Sequence, residues 1–158
     1  MTPTMTDPAT TTTTRQELID WLNDDLAREY QAIIAYVVYS QVLKGAQYMA
    51  IATELEKHAA EELSHALKIS KNIDYLGGMP CAVPKPVILT ENPVEMLRAD
   101  LENENQTIRA YRERVLQCEA LREYAIAEDI REILREEQEH QIDLATALGE
   151  DPPDLSRR

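Results

Sequence analysis

The chain contains no Phe, one Trp, four Gly and two Cys among its 158 residues. Two cysteines cannot make a disulfide framework, so reduced thiols are expected. No apolar run approaches the ~20 residues of a membrane span, and no membrane partner is expected. The opening stretch MTPTMTDPATTTTT has neither the basic start nor the apolar core of a signal peptide, which points to a cytoplasmic location. Basic residues are scarce: 16 Lys and Arg face 29 Asp and Glu, for a net charge of −13. With no basic patch and no cluster of base-stacking aromatics, this balance disfavours nucleic acid and favours cations as partners.

What is present points to helix. Hydrophobic residues make up 44% of the chain, in long tracts rich in Ala, Leu, Glu and Arg. The length suits one all-α domain with a sizeable core. Residues 1–13 are rich in Thr and Pro and read as a disordered tail. Thr14-Arg15-Gln16-Glu17 reads as a capping box that starts a first helix running to about Lys44 and ending at Gly45. A second helix spans about 47 to Leu76 and stops at Gly77-Gly78. Asn92-Pro93 caps and starts a third, and a fourth runs from about 124 to Leu148, leaving 150–158 as a flexible tail. No Gly or Pro marks the break between the last two helices.

The short turn at Gly45 predicts antiparallel first and second helices, and the third and fourth should pair likewise. Between Gly77 and Asn92 the connection carries Pro80, Pro84 and Pro86. Extended, it reaches ~50 Å, enough to run the length of a ~45 Å helix. The expected architecture is an up-down-down-up four-helix bundle with one long crossover between helices 2 and 3.

Steps of four and three along each helix define its inward stripe. The first reads Leu22, Leu26, Glu29, Ile33, Tyr36, Ser40; the second Ile51, Leu55, His58, Glu62, His65, Ile69, Asn72, Leu76. The third reads Leu97, Leu101, Glu104, Ile108, Tyr111, Val115, Cys118; the fourth Ile126, Ile130, Ile133, Glu137, His140, Leu144. Each stripe is apolar except near its middle, where one Glu sits, and no Lys or Arg lies on the stripes to neutralise it. Glu62 and Glu137 are each followed one turn later by a His. Four buried carboxylates without cations would repel one another and resist ionisation. Four carboxylates with two neutral imidazoles carry −4, which two divalent metals balance. Oxygen-rich ligation with one imidazole per metal suits iron or manganese better than zinc.

A Glu from each of two helices with Glu-x-x-His from the other two is the ligand set of di-iron carboxylate bundles. Over residues 15–149 the sequence resembles the bacterioferritin and ferritin-like di-iron family, through AREYQAIIAY at 27–36, EELSHALKISKNIDYLGGMP at 61–80, MLRADLENE at 96–104 and EILREEQEH at 132–140. The resemblance implies a ferroxidase that oxidises Fe2+ to Fe3+ with O2 or H2O2 for iron storage, detoxification and homeostasis, working as a homo-oligomer with two irons per subunit. It places Glu29 and His65 on one iron, Glu104 and His140 on the other, and Glu62 and Glu137 between them. Tyr36 resembles the tyrosine beside the family's metal pair. Two features depart from the pattern. Leu63 stands where haem-binding members have a Met ligand, so haem is not supported, and nothing after Gly149 matches the family's fifth helix, which puts a 24-subunit cage in doubt.

His58, on the second stripe one turn before Glu62, reads as a hydrogen-bonded core histidine with a third-metal role as the alternative. Tyr111 reads as a core aromatic, Cys118 as a structural thiol at the same end as Cys81, and the remaining acids of 102–104 and 136–139 as solvated. Two rival functions stay open: a di-metal (Fe or Mn) oxidase or peroxide-disproportionating enzyme, and a metal-free helical oligomerisation scaffold.

Overall fold

Four helices organise the computed structural model, which describes residues 12–156: α1 (Arg15–Val42), α2 (Met49–Tyr75), α3 (Pro93–Ala120) and α4 (Tyr124–Ala147). Most of the tail expected to be disordered, residues 1–11, lies outside that range, as do 157 and 158. The helices start where capping chemistry dictates. Thr14 Oγ1 accepts the Glu17 amide while the Glu17 carboxylate accepts the Thr14 amide at 2.8 Å, closing the capping box. Asn92 accepts the amides of Val94 and Glu95, with Pro93 at the first helical position, where no amide is needed.

Three helices end in one device. After α2, the amides of Gly77 and Gly78 return to the carbonyls of Asp74 and Ile73; after α4, those of Gly149 and Glu150 return to Thr146 and Ala145. Both turns use a glycine in the left-handed region, Gly77 at φ 90° and Gly149 at φ 74°. The α3–α4 break is built the same way, with Arg122 and Glu123 bonding back to Glu119 and Cys118. Here the left-handed residue is Arg122 at φ 60°, which explains why no glycine marked the break. The α1–α2 turn also differs from expectation: α1 ends at Val42, and a 3₁₀ turn (Ala46–Tyr48) follows Gly45, whose φ of 123° reverses the chain.

The end contacts establish the topology. Arg15, at the start of α1, donates to the Leu76 carbonyl at 2.9 Å and pairs with Glu123 at 3.3 Å. The start of α1, the end of α2 and the α3–α4 junction therefore share one end. Arg98 near the start of α3 pairs with Glu150 after α4 at the other end. Helices α1 and α4 thus run one way and α2 and α3 the other, as an up-down-down-up four-helix bundle. The crossover follows α1: Asn23 donates to Met79 O (3.1 Å), the Lys85 amide to Ala27 O (3.0 Å), Gln31 to Pro86 O (2.6 Å) and Tyr39 to Ile88 O. Gly78 packs against α1 at the start of this path. A Cβ there would stand 2.6 Å from Ile19 Cγ2, a branched side chain with little room to yield. Gly78→Ala should therefore cost about 1–3 kcal/mol, read as a fall in melting temperature of several degrees.

The apolar core splits into two blocks. One gathers Leu18, Leu22, Leu26, Ile69, Ile73, Tyr111, Cys118, Ile126 and Ile130; the other gathers Tyr36, Tyr39, Leu55, Met96, Leu97 and Leu144. The waist between them is occupied by buried carboxylates and imidazoles.

Candidate metal centre

Each waist residue comes from the middle of a helix whose period of 3.6 turns it inward. Glu29 (α1), Glu62 and His65 (α2), Glu104 (α3), and Glu137 and His140 (α4) are all no more than 2% exposed. Their donor atoms form two groups within 4.8 Å: Glu29, Glu62, His65 and Glu137, and Glu62, Glu104, Glu137 and His140. Glu62 and Glu137 belong to both. His65 Nδ1 lies 3.0 Å from Glu62 Oε2 and 3.1 Å from Glu137 Oε1; His140 Nδ1 lies 3.0 Å from Glu62 Oε1 and 3.2 Å from Glu137 Oε2. Each shared carboxylate thus turns one oxygen toward each imidazole.

The second ring nitrogens point outward. His65 Nε2 pairs with Glu136 Oε2 at 2.7 Å, and His140 Nε2 with Glu61. A carboxylate on the far nitrogen fixes ring orientation and raises the basicity of the near one, as behind metal-bound histidines generally. Tyrosines hold the outer carboxylates crosswise: Tyr36 on α1 donates to Glu104 on α3, and Tyr111 on α3 donates to Glu29 on α1.

Protons carry the compensating charge in this arrangement. Burial lifts Glu62 well above the usual carboxylate range, and the Glu137 charge beside it adds to the effect. Glu104 is pushed up to about 7, by burial first and Glu137 next. Burial also disfavours ionised Glu29 and Glu137, but hydrogen bonding wins and holds both below the ordinary value; Glu62 and His65 act on Glu29, and His140 and His65 on Glu137. For His65 and His140 burial disfavours the cation, yet hydrogen bonds to three surrounding carboxylates outweigh it and favour the imidazolium. Among the six waist residues, three carboxylate oxygens still lack a hydrogen-bond partner: Glu29 Oε2, Glu104 Oε2 and Glu137 Oε2. Buried polar atoms are otherwise nearly always satisfied, and anionic oxygens facing a shared space are what divalent cations take. The donor set fits iron or manganese.

A ferritin-like domain model matches residues 19–152. The chain belongs to the ferritin-like family. Among curated proteins it is similar to the bacterioferritin of Brucella melitensis, with 29% identity over 142 residues covering 85% of this chain and 88% of that protein. The bacterioferritin of Rhodobacter capsulatus is 29% identical over 140 residues, 84% and 87% of the two chains. Two solved structures are similar throughout. A ferritin-like diiron-carboxylate protein from Bacillus anthracis has a TM-score of 0.81 and 31% identity, covering 85% of this chain and 96% of its own. A dodecameric thioferritin from Bacteroides fragilis has a TM-score of 0.80 and 30% identity, covering 87% and 88%.

All six residues read from the sequence meet at the waist of this ferritin-like bundle, and Tyr36 reaches it through Glu104. Leu63 is half exposed on α2. His58 stands outside the two groups, bonded to Asp143. Cys81 is half-buried against the apolar block that holds Cys118, and burial raises the Cys118 thiol to about 12. No described helix is long and apolar enough to cross a membrane.

Two sequence readings need correction. Tyr111 is more than a core aromatic, since it bonds Glu29 as Tyr36 bonds Glu104. Glu136 is not merely solvated, because it accepts from His65, and Glu61, to which the sequence reading gave no role, accepts from His140 in the same way. One signal could have found them. Glu29 and Glu104, Tyr36 and Tyr111, Glu61 and Glu136, Glu62 and Glu137, and His65 and His140 all stand seventy-five positions apart. The α1–α2 and α3–α4 halves repeat their site residues, so whatever supports one half predicts the other. Tyr36→Phe and Tyr111→Phe should accordingly have similar effects, each lowering divalent-metal affinity by roughly 10-fold, as expected when a support behind a ligand is lost. Equilibrium dialysis with Mn2+ measures both.

Proposed function

We propose that the chain is a ferroxidase of the ferritin and bacterioferritin type, taking two Fe2+ per subunit at the waist and oxidising them to Fe3+ with O2 or H2O2. Glu29 and His65 hold one iron, Glu104 and His140 the other, and Glu62 and Glu137 bridge. The carrying observation is the pair of overlapping, buried donor groups that share Glu62 and Glu137 and leave three carboxylate oxygens unpartnered. Membership of the ferritin-like family supports the same reading.

The residues divide the work. The four carboxylates stabilise the rise from 2+ to 3+ on each iron, because anionic ligands favour the higher charge. Two one-electron oxidations supply the pair of electrons that reduces H2O2 to two waters with two protons, or O2 to H2O2. The Nδ1 protons of His65 and His140 and the carboxyl proton of Glu62 leave as metal enters, so ligand sites become available. Glu136, Glu61, Tyr36 and Tyr111 keep imidazoles and outer carboxylates aimed during that exchange. The two apolar blocks exclude bulk water from above and below.

The product Fe3+ is stored or passed on within a homo-oligomer in the cytoplasm. Exposed apolar side chains on α1 and α2, including Ile34, Val37, Leu63 and Leu67, suit subunit contacts. Aerobic Fe2+ titration with simultaneous measurement of assembly mass tests the proposal. Two irons bound per subunit, continued Fe2+ consumption beyond that ratio and a multimeric mass are expected. A protein that stays metal-free and leaves Fe2+ oxidation at the buffer rate would overturn it.

A further inference from the structure

A second set of ligand-type side chains lies beside the centre. Glu54 and His58 stand one turn apart on α2, Asp143 stands one turn past His140 on α4, and one donor atom from each lies within 4.8 Å of the others. His58 is 2% exposed, and its Nε2 lies 3.0 Å from Asp143 Oδ2 while its Nδ1 has no partner. The two carboxylates are more than a third exposed. They open on a cavity of about 210 Å³ walled by Gln47, Ile51, Thr146 and Ala147. On its inner side the His58 ring stacks on the His140 ring at 4.0 Å between centroids.

The internal repeat shows that the bundle does not need this histidine. Seventy-five positions from His58 stands Ile133, which is 1% exposed and fills the equivalent core position with a hydrocarbon. The counterpart of Asp143 is Lys68, a cation bonded to Glu132 at 2.7 Å. The counterpart of Glu54 is Asp129, so both halves keep that acid, and they differ in the imidazole and second acid of one half against the apolar side chain and ammonium group of the other. Packing alone accounts for the second arrangement; in the first, the His58 ring packs on His140 and Tyr36, but packing does not call for two carboxylates beside it.

We propose that Glu54, His58 and Asp143 form a third divalent-cation site, facing solvent and exchangeable, which gathers cations beside the di-metal centre. Two carboxylates and a neutral imidazole match one divalent charge, and cavity water completes the coordination shell, a set suited to Fe2+, Mn2+ or Co2+. Glu54 now pairs with Lys57 at 2.8 Å, but an exposed pair of this kind holds weakly and yields to a divalent ion. The gathering role, though not the binding, rests on the proposed Fe2+ oxidation.

Equilibrium dialysis against Co2+ separates the sites. Three ions per subunit are expected in the unmodified protein, two in Glu54→Gln/Asp143→Asn and two in His58→Ile, which copies the apolar counterpart and should fold. Glu62→Gln/Glu137→Gln should keep the third ion while losing the pair. Two ions in the unmodified protein, or three in both outer-site variants, would overturn the site. Loss of the ion pair's signal alone, with the outer ion retained, would instead bear on the centre. The apparent KM for Fe2+ should rise roughly ten-fold in Glu54→Gln/Asp143→Asn, as for loss of one modest charge-assisted contact; an unchanged KM would overturn the gathering role.

Discussion

Glu62→Ala and Glu137→Ala are each expected to abolish aerobic Fe2+ oxidation, lowering the initial rate on the order of 100-fold or more, since even losing a residue behind a metal ligand costs 10- to 100-fold. The reason is positional. Each of these carboxylates offers one oxygen to the His65 side and one to the His140 side, so a single truncation damages both donor groups. A loss of activity through misfolding would look different. Both metal-free variants should keep the far-UV circular dichroism of a helical bundle, although Glu137→Ala removes the ionised partner of two imidazoliums and should lower the melting temperature. Rates at the unmodified level in either variant, measured by stopped-flow absorbance of Fe3+, would refute the bridging assignment.

Divalent metal is expected to stabilise the protein strongly at alkaline pH and weakly at acid pH. Without metal, protons neutralise the waist, and the groups that carry them have raised folded-state pKa values: Glu62, His65, His140, and Glu104 at about 7. A raised group contributes stability that is complete below its unfolded pKa and is lost as pH rises through the folded one. For Glu104 the loss runs from the ordinary carboxylate value of 4.5 through about 7. Glu29 and Glu137 are lowered, so their contribution is present above the ordinary carboxylate value of 4.5 and disappears only as pH falls through their lower folded values. The metal-free bundle should therefore be most stable at mildly acid pH and should weaken above pH 7.

Metal reverses that trend, because two divalent ions take over the charge held by protons and no longer compete with them. Binding at a hundred-fold excess over Kd contributes about 2.7 kcal/mol per ion. At roughly 2–4 °C per kcal/mol for a domain of this size, saturating Mn2+ should raise the melting temperature on the order of 10–20 °C at pH 8. The gain should be much smaller at pH 5.5. Differential scanning fluorimetry across that range suffices. No shift with saturating Mn2+, or a larger shift at the acid end, would sink the electrostatic account of the waist.

The parts legible in sequence share one property: they depend on neighbours within a few positions of one another. Glu62 with His65 and Glu137 with His140 occupy single helical turns, and each stripe follows from the helix period. Thr14 and Asn92 announce caps because their side chains accept the amides two or three positions on, and Gly77 and Gly149 because a positive φ turns the chain's amides back to the preceding carbonyls. Arg122 escaped because an αL turn built on a non-glycine residue leaves no compositional mark. Tyr111, Glu61 and Glu136 escaped because their partners sit on other helices. Whether Tyr111 meets Glu29 depends on the rotation and height of α3 against α1, which no single helix specifies. His58 was legible as a buried, hydrogen-bonded histidine, but its partner Asp143, eighty-five positions away, was not.

By itself, the sequence determined that this is a helical bundle with one carboxylate at the middle of every inward stripe and two imidazoles beside them, because periodicity and spacing are local properties of the chain. Only the tertiary structure decided how those groups share atoms. It set Glu62 and Glu137 between the two imidazoles, crossed the tyrosines onto opposite carboxylates, and joined buried His58 to Asp143, which lines a solvent cavity. Those relations arise when four helices pack at fixed heights and rotations, and burial then makes charge compensation at the waist compulsory.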